Sequence, residues 1–281
     1  MLDLYLAMAV VLAASALLGW IGMAASRWLP YWVLVFLIAA VIAGVAILRL
    51  QPNRLWLGGL LPFSSLIVLG NITLPAVVLV CGMAFGRMRG SALRRGAVLA
   101  PLVLLAGYDL VRPMLSSPPP LGRMWKDGVC RQTSSESCSA ASAATLLHAA
   151  GIETSEREMA DLCLTRENGT SAAGIYRGLK LKTAGCGLRV EAFHCDIARL
   201  RDLAAQTPVL LPVELRKGAH VDPRYERDWG WTPGVAHTVV LFHFLPNGRI
   251  EIGDPDVGRE TWNIEALRVL WHGDGIRIVR K

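Results

Sequence analysis

Four long apolar runs constrain this chain more than any motif in it. They occupy about residues 4 to 25, 30 to 48, 57 to 86 and 96 to 111, all within the first 120 of 281 residues. That stretch has no lysine and only two acids, Asp3 and Asp109, whereas all six histidines lie beyond it. With 53% hydrophobic residues and a mean hydropathy of +0.41, the chain is too apolar for an ordinary soluble protein. The first two runs have the ~20 residues that a spanning helix needs. The third holds Asn71 and Pro75 and reads as an interfacial piece near Trp56 to Ser65 followed by one span ending near Phe85. The fourth is short and ends at Asp109. Only Asp3 precedes the first run, and without a basic n-region that segment is expected to be retained rather than cleaved.

The expected organisation is therefore an all-α transmembrane domain of about four helices over residues 1–115, a Pro-rich linker over 116–123, and a globular domain over 124–281. Arg87, Arg89, Arg94 and Arg95 form the densest basic cluster near any span, which favours the cytoplasmic side for that loop. One further span would place the globular half on the opposite face, as in a multi-pass protein of the bacterial inner-membrane type. The net charge of +7 is then partly topological. No compact basic patch with interleaved aromatics follows, so nucleic acid is not an expected partner; the bilayer is.

The globular half reads as helices first and sheet last, an α+β order. Cys138 opens a run of small helix formers that stops at Gly151. Ser155 and Glu158 make a capping-box pattern, a third helix covers about 172 to 184, and Asp196 caps another. "GLRVEAF" and "PVLLPVEL" read as strands. "AHTVVLFHF" and "RIEIGD" flank the turn formers Pro246, Asn247 and Gly248 as an antiparallel hairpin, and "GIRIVR" is a last strand.

A nucleophilic cysteine needs a base, a group to orient that base, and donors for the oxyanion. Cys138 at a helix start meets aligned backbone N–H groups that favour its thiolate. His237 sits inside a strand, an odd place for a polar ring unless it faces a cleft. Asp254 ends the next strand, where the hairpin brings it beside His237; Asp256 is its rival. His237 and His243 are six apart and predicted to face one side of the strand, but no carboxylate or cysteine completes a metal set, and no cofactor is expected.

Gln132 six residues before Cys138, then "NGTS" at 168–171, "AHTVVL", "DPDVG" and "LWHG", in this order, resemble the bacteriocin-processing, double-glycine leader peptidases of the papain-like cysteine peptidase clan. The similarity covers about residues 126–279. It implies a papain-like α+β domain acting on a peptide or protein substrate near the membrane, with Cys138 attacking, His237 as base, Asp254 orienting it and Gln132 helping to form the oxyanion hole. Ser139 stands where that family usually has glycine, and the chain lacks the P-loop of the peptide-exporting ABC transporters in which the family is best known. A catalytically silent peptide-binding or scaffolding domain and a thioester acyl or peptidyl transferase are the alternative readings, and oligomeric state is not legible.

Two further groups are candidates. Gly169, Thr170 and Ser171 are expected to border a substrate cleft; Trp229 and Trp231, in the long polar loop 216–235, are expected to cover that cleft and narrow it for small residues before the cut, to dip into the membrane interface, or to anchor an ordinary surface loop. Cys130, Cys163, Cys186 and Cys195 are expected to form disulfides if this half is extracytoplasmic; Cys186 with Cys195 and Cys130 with Cys163 is one of three pairings.

Overall fold

The computed structural model describes residues 1–50, 55, 58, 62–115 and 118–281. The chain divides into two compact units, Met1–Arg54 with Ser65–Leu115, and Leu55–Ser64 with Ser116–Lys281. The expected interfacial piece before Ser65 and the first two linker residues fall largely outside the described residues.

The first unit is helical. Helix α1 covers Leu2–Trp28 and α2 Trp32–Leu50. A short α3, Leu66–Leu69, leads to α4, Thr73–Arg87, and Asn71 bridges the break by accepting the Thr73 N–H on its side-chain oxygen at 3.1 Å. Helix α5 is Ala92–Val111. Helices α1 and α4 approach through small residues: a Cβ on Gly82 would lie 2.1 Å from the Gly19 carbonyl oxygen, and one on Gly86 2.2 Å from Ser26 Oγ. Close backbone contact of this kind is how helices associate where no hydrophobic driving force acts between them. Among the described residues two helical stretches are long and apolar enough to cross a membrane, Leu2–Trp28 and Leu66–Arg87. That corrects the expectation of about four. Arg94 and Arg95 occupy the first turn of α5, and Pro101 sits inside it, so its apolar part is short.

The second unit places its helices before most of its sheet, as the α+β order predicts. Strands β1 (Met124–Lys126) and β2 (Val129–Arg131) form a hairpin. Helices α6 (Cys138–Ala149), α7 (Glu156–Cys163) and α8 (Ala172–Lys182) follow. Ser155, Ser171 and Asp196 each accept a backbone N–H as N-caps, so these helix starts are locally encoded. Then come β3 (Leu188–His194), α9 (Ile197–Ala204), β4 (Val209–Glu214), a one-turn α10 (Arg224–Arg227), β5 (Ala236–Phe244), β6 (Arg249–Asp254), β7 (Gly258–Asn263), α11 (Ile264–Leu270) and β8 (Asp274–Arg280). Six strands make one antiparallel sheet in the order β3-β8-β4-β5-β6-β7, with the last strand in its interior. Helix α6, almost wholly buried, packs on β5 and β2, which its alanines and serines allow.

The loop 216–235 is no surface excursion. Tyr225 is fully buried and Trp231 nearly so, both in the core formed by Val239, Leu241, Ile252 and Trp262. Nor do His237 and His243 share a face. The β5–β6 register shifts between Leu241 and His243, and this bulge leaves His237 buried and His243 exposed.

The six cysteines are free, which corrects the disulfide expectation. The extended strand β3 stands between Cys186 and Cys195; seven residues at ~3.3 Å each separate them far beyond the ~7 Å that a disulfide tolerates. Cys130 and Cys163 are packing residues, and burial pushes both thiols up to about 12, with the Glu156 charge adding to the rise at Cys130. Cys163 lies against the glycine face of α8: a Cβ on Gly174 would sit 2.3 Å from the Cys163 carbonyl oxygen. Gly174→Ala must therefore separate α7 from α8, and a denaturant melt is expected to show a loss of about 1–3 kcal/mol.

Candidate active site

The β1–β2 hairpin turns on Asp127 and Gly128, both at positive φ (51° and 75°), the tight-turn pair that an Asp-Gly sequence supplies. This delivers Gln132 just beyond β2. Its backbone N–H donates to the Pro255 carbonyl at 2.9 Å, and Arg131 donates to the carbonyls of Pro255 and Asp256, so β2 is tied to the turn that follows Asp254. The Gln132 amide oxygen is buried and, among the described residues, meets no donor.

Cys138 is the first residue of α6 and is partly exposed. His237 lies on β5 and Asp254 at the end of β6. Val240 pairs with Gly253, so the histidine and the aspartate sit diagonally across the strand pair. His237 Nε2 and Asp254 Oδ1 are 2.9 Å apart, and Asp254 is fully buried. The same Oδ1 accepts the Asp256 N–H at 2.8 Å, while Oδ2 accepts the Trp231 indole N–H at 3.1 Å. The carboxylate that meets His237 is thus that of Asp254, and Asp256 contributes its backbone N–H to the same oxygen.

Helix α6 is locked onto β5 by the residues next in sequence to the cysteine and the histidine. Ser139 Oγ and Thr238 Oγ1 are 2.8 Å apart, and Ser142 Oγ donates to the Thr238 carbonyl at 2.7 Å. The Ser139 hydroxyl is accommodated because Thr238 faces it. Burial works to push the His237 pKa down, but the Asp254 charge, the hydrogen bond to Asp254 and the neighbouring Cys138 together hold it well above the ordinary histidine value.

A cleft of about 450 Å³ opens over these groups, with Gln132, Cys138, His237, Trp229 and Trp231 in its wall. Trp231 is only 6% exposed, its ring centroid 4.6 Å from that of His237. It is a brace for the His–Asp pair more than a movable arm. Trp229 packs between Tyr225, at 4.7 Å, and the Arg224 guanidinium, at 4.4 Å.

Gly169, Thr170 and Ser171 do not line this cleft. They build the turn between α7 and α8: Gly169 bridges to Arg166, Thr170 meets the Thr165 hydroxyl at 2.7 Å, and Ser171 caps α8. Sequence reading also missed the bond from Trp231 to Asp254, which spans 23 positions and leaves no local signal, and the hairpin behind Gln132, whose Asp-Gly pair is a recognisable one.

Residues 126–220 match the peptidase C39 family. An uncharacterized protein of Methanothermobacter marburgensis is 34% identical over 105 residues, 35% of this chain and 73% of that one. Among solved structures, the peptidase domain of Streptococcus ComA, a bifunctional ABC transporter of a quorum-sensing pathway, is 22% identical with a TM-score of 0.42, over 54% of this chain and 96% of that domain. A double glycine motif protease from an AMS/PCAT transporter, in complex with its leader peptide, is 16% identical with a TM-score of 0.42, over 59% of this chain and 97% of that one. The second unit holds a cysteine-type peptidase domain of papain-like α+β fold. The chain belongs to the peptidase C39 family.

Proposed function

We propose that this chain is a membrane-anchored cysteine peptidase that cleaves a peptide or leader segment, with Cys138, His237 and Asp254 as its triad and Gln132 as an oxyanion donor. The observation that carries the reading is the buried 2.9 Å contact of His237 with Asp254 beneath a cleft that also holds Cys138 and Gln132. Asp254 fixes His237 through Nε2, which leaves Nδ1 for the thiol. His237 takes the Cys138 proton as Sγ attacks the scissile carbonyl carbon. The Gln132 amide and the α6 N-terminus stabilise the resulting oxyanion. The imidazolium then protonates the leaving amine, and water, deprotonated by His237, releases the acyl group from the thioester.

Residues 1–115 form the anchor in this reading, 116–123 the linker and 124–281 the peptidase domain. Leu2–Trp28 and Leu66–Arg87 lie in the bilayer, and Arg87 to Arg95 mark the cytoplasmic end of the latter. The peptidase domain is extracytoplasmic provided that Ala92–Val111 also crosses, which a reporter fused to the C-terminus decides. Tethering concentrates substrates that are themselves at the membrane.

The test is a peptide library presented to the full-length protein in detergent. Cleavage after small residues is expected, because the Trp229 ring, fixed by Tyr225 and Arg224, narrows the cleft, and Trp229→Ala should admit larger residues. No turnover, with Cys138 inert towards an electrophilic peptide, would turn the reading to a binding domain. A preference for bulky residues that Trp229→Ala leaves unaltered would remove the proposed specificity.

A further inference from the structure

The segment that carries Gln132 is held from two sides, and only one of them belongs to the turn after Asp254. On the other side stands Glu156, a carboxylate only 1% exposed at the start of α7. Its two oxygens are both directed at one residue. Glu156 Oε1 accepts the Thr133 backbone N–H at 2.8 Å, and Oε2 accepts the Thr133 hydroxyl at 2.7 Å. The Thr133 hydroxyl in turn accepts the backbone N–H of Gly122 at 2.7 Å, and the Leu121 carbonyl accepts from the Arg157 guanidinium at 3.1 Å. A Cβ on Gly122 would come within 3.1 Å of Thr133 Cγ2, so this approach is close. Past Thr133 the chain makes a turn in which Ser137 Oγ donates to the Ser134 carbonyl at 2.7 Å, and it then enters α6 at Cys138.

We propose that Glu156 is a positioning residue for the oxyanion donor: by gripping Thr133 through both oxygens it fixes the backbone on which Gln132 stands, and the linker residue Gly122 closes the grip from outside. A buried carboxylate is costly unless it is fully hydrogen-bonded, and a Val or Leu would fill the space between α7 and this loop without such a demand. What the carboxylate adds is direction. Two acceptors on one residue set both the height and the rotation of the backbone beside Gln132. The third member of the chain of bonds comes from the linker, through the Gly122 N–H. The proposal rests on Gln132 serving as that donor.

The test compares two rates in the full-length protein in detergent: turnover of a fluorogenic peptide, which needs the oxyanion site, and alkylation of Cys138 by iodoacetamide, which needs the thiolate but no oxyanion donor. Gln132→Ala should lower kcat about 10²- to 10³-fold. Glu156→Gln and Thr133→Val should lower kcat about ten- to a hundred-fold, the effect of a small displacement of a reacting geometry, with KM and the alkylation rate unchanged. Thr133→Ser, which keeps both donors, should restore kcat. In the Gln132→Ala background, Glu156→Gln should have no further effect. The proposal is overturned if Glu156→Gln and Thr133→Val turn over like the parent, if Glu156→Gln costs the same factor with and without Gln132, or if alkylation falls in step with turnover. A Glu156→Gln protein that does not fold leaves Thr133→Val against Thr133→Ser to decide. If Gln132→Ala is silent, the oxyanion assignment fails and this inference with it; if Gln132→Ala is damaging and both clamp variants are not, the inference alone fails.

Discussion

Cys138→Ala is expected to lower peptide turnover by roughly 10⁵-fold or more, and His237→Ala by a similar factor, since members of one catalytic unit fail together. Both proteins should stay folded. Cys138 is partly exposed at the start of its helix, so its loss opens no core cavity. His237 lies at the cleft wall, and the α6–β5 lock through Ser139, Ser142 and Thr238 does not include it. Steady-state kinetics alongside a thermal melt check both halves of this expectation. Full peptide cleavage by purified Cys138→Ala would end the proposed mechanism.

Asp254→Asn should cut kcat by about 10²- to 10⁴-fold, less than loss of the nucleophile, because the group that orients a base is easier to lose. It also has a signature in pH. The His237 pKa is raised by Asp254 against the pull of burial. Protonated His237 therefore contributes stability that is fully present below the ordinary histidine value of ~6.5 and is lost as pH rises through the elevated folded value. Without the Asp254 charge, burial dominates and the folded value drops. The alkaline limb of the Cys138 alkylation profile should move to lower pH in Asp254→Asn, and the low-pH share of stability should vanish with it. Asp254→Ala should in addition cost about 3–5 kcal/mol, because the His237 ring, the Trp231 indole N–H and the Asp256 N–H all lose a buried acceptor. An unmoved alkaline limb would mean that the carboxylate does not govern the base.

Helices α6 to α9 and the central strands are legible from the sequence because their signals are local, whereas the short α10 and α11 are not anticipated. Ser155, Ser171 and Asp196 cap the helices that follow them, and β5 and β6 flank a turn of Pro246, Asn247 and Gly248. Strand β7 is not, since Trp262 is its single large apolar residue and Arg259 and Glu260 interrupt any alternation. His243 is misplaced by period-2 counting because a bulge shifts the phase. The meeting of Cys138, His237 and Asp254 can be anticipated from a helix start and a hairpin. Their support cannot. The Trp231 bond to Asp254 and the Glu156 grip on Thr133 join residues 23 positions apart through the folded core, and neither leaves a pattern in the intervening chain.

The excursion 216–235 enters the core and emerges again as cleft wall, and Trp231 belongs to both. The protein is therefore not free to retune its choice of substrate and its chemistry separately at that position: a change that reshapes the wall there also releases Asp254. Variation in substrate preference among close relatives of this chain should be carried by Trp229, Thr232 and Val235, the neighbours that face the cleft without touching the carboxylate. Trp231 would then be the fixed post around which the rest of the wall is free to diverge.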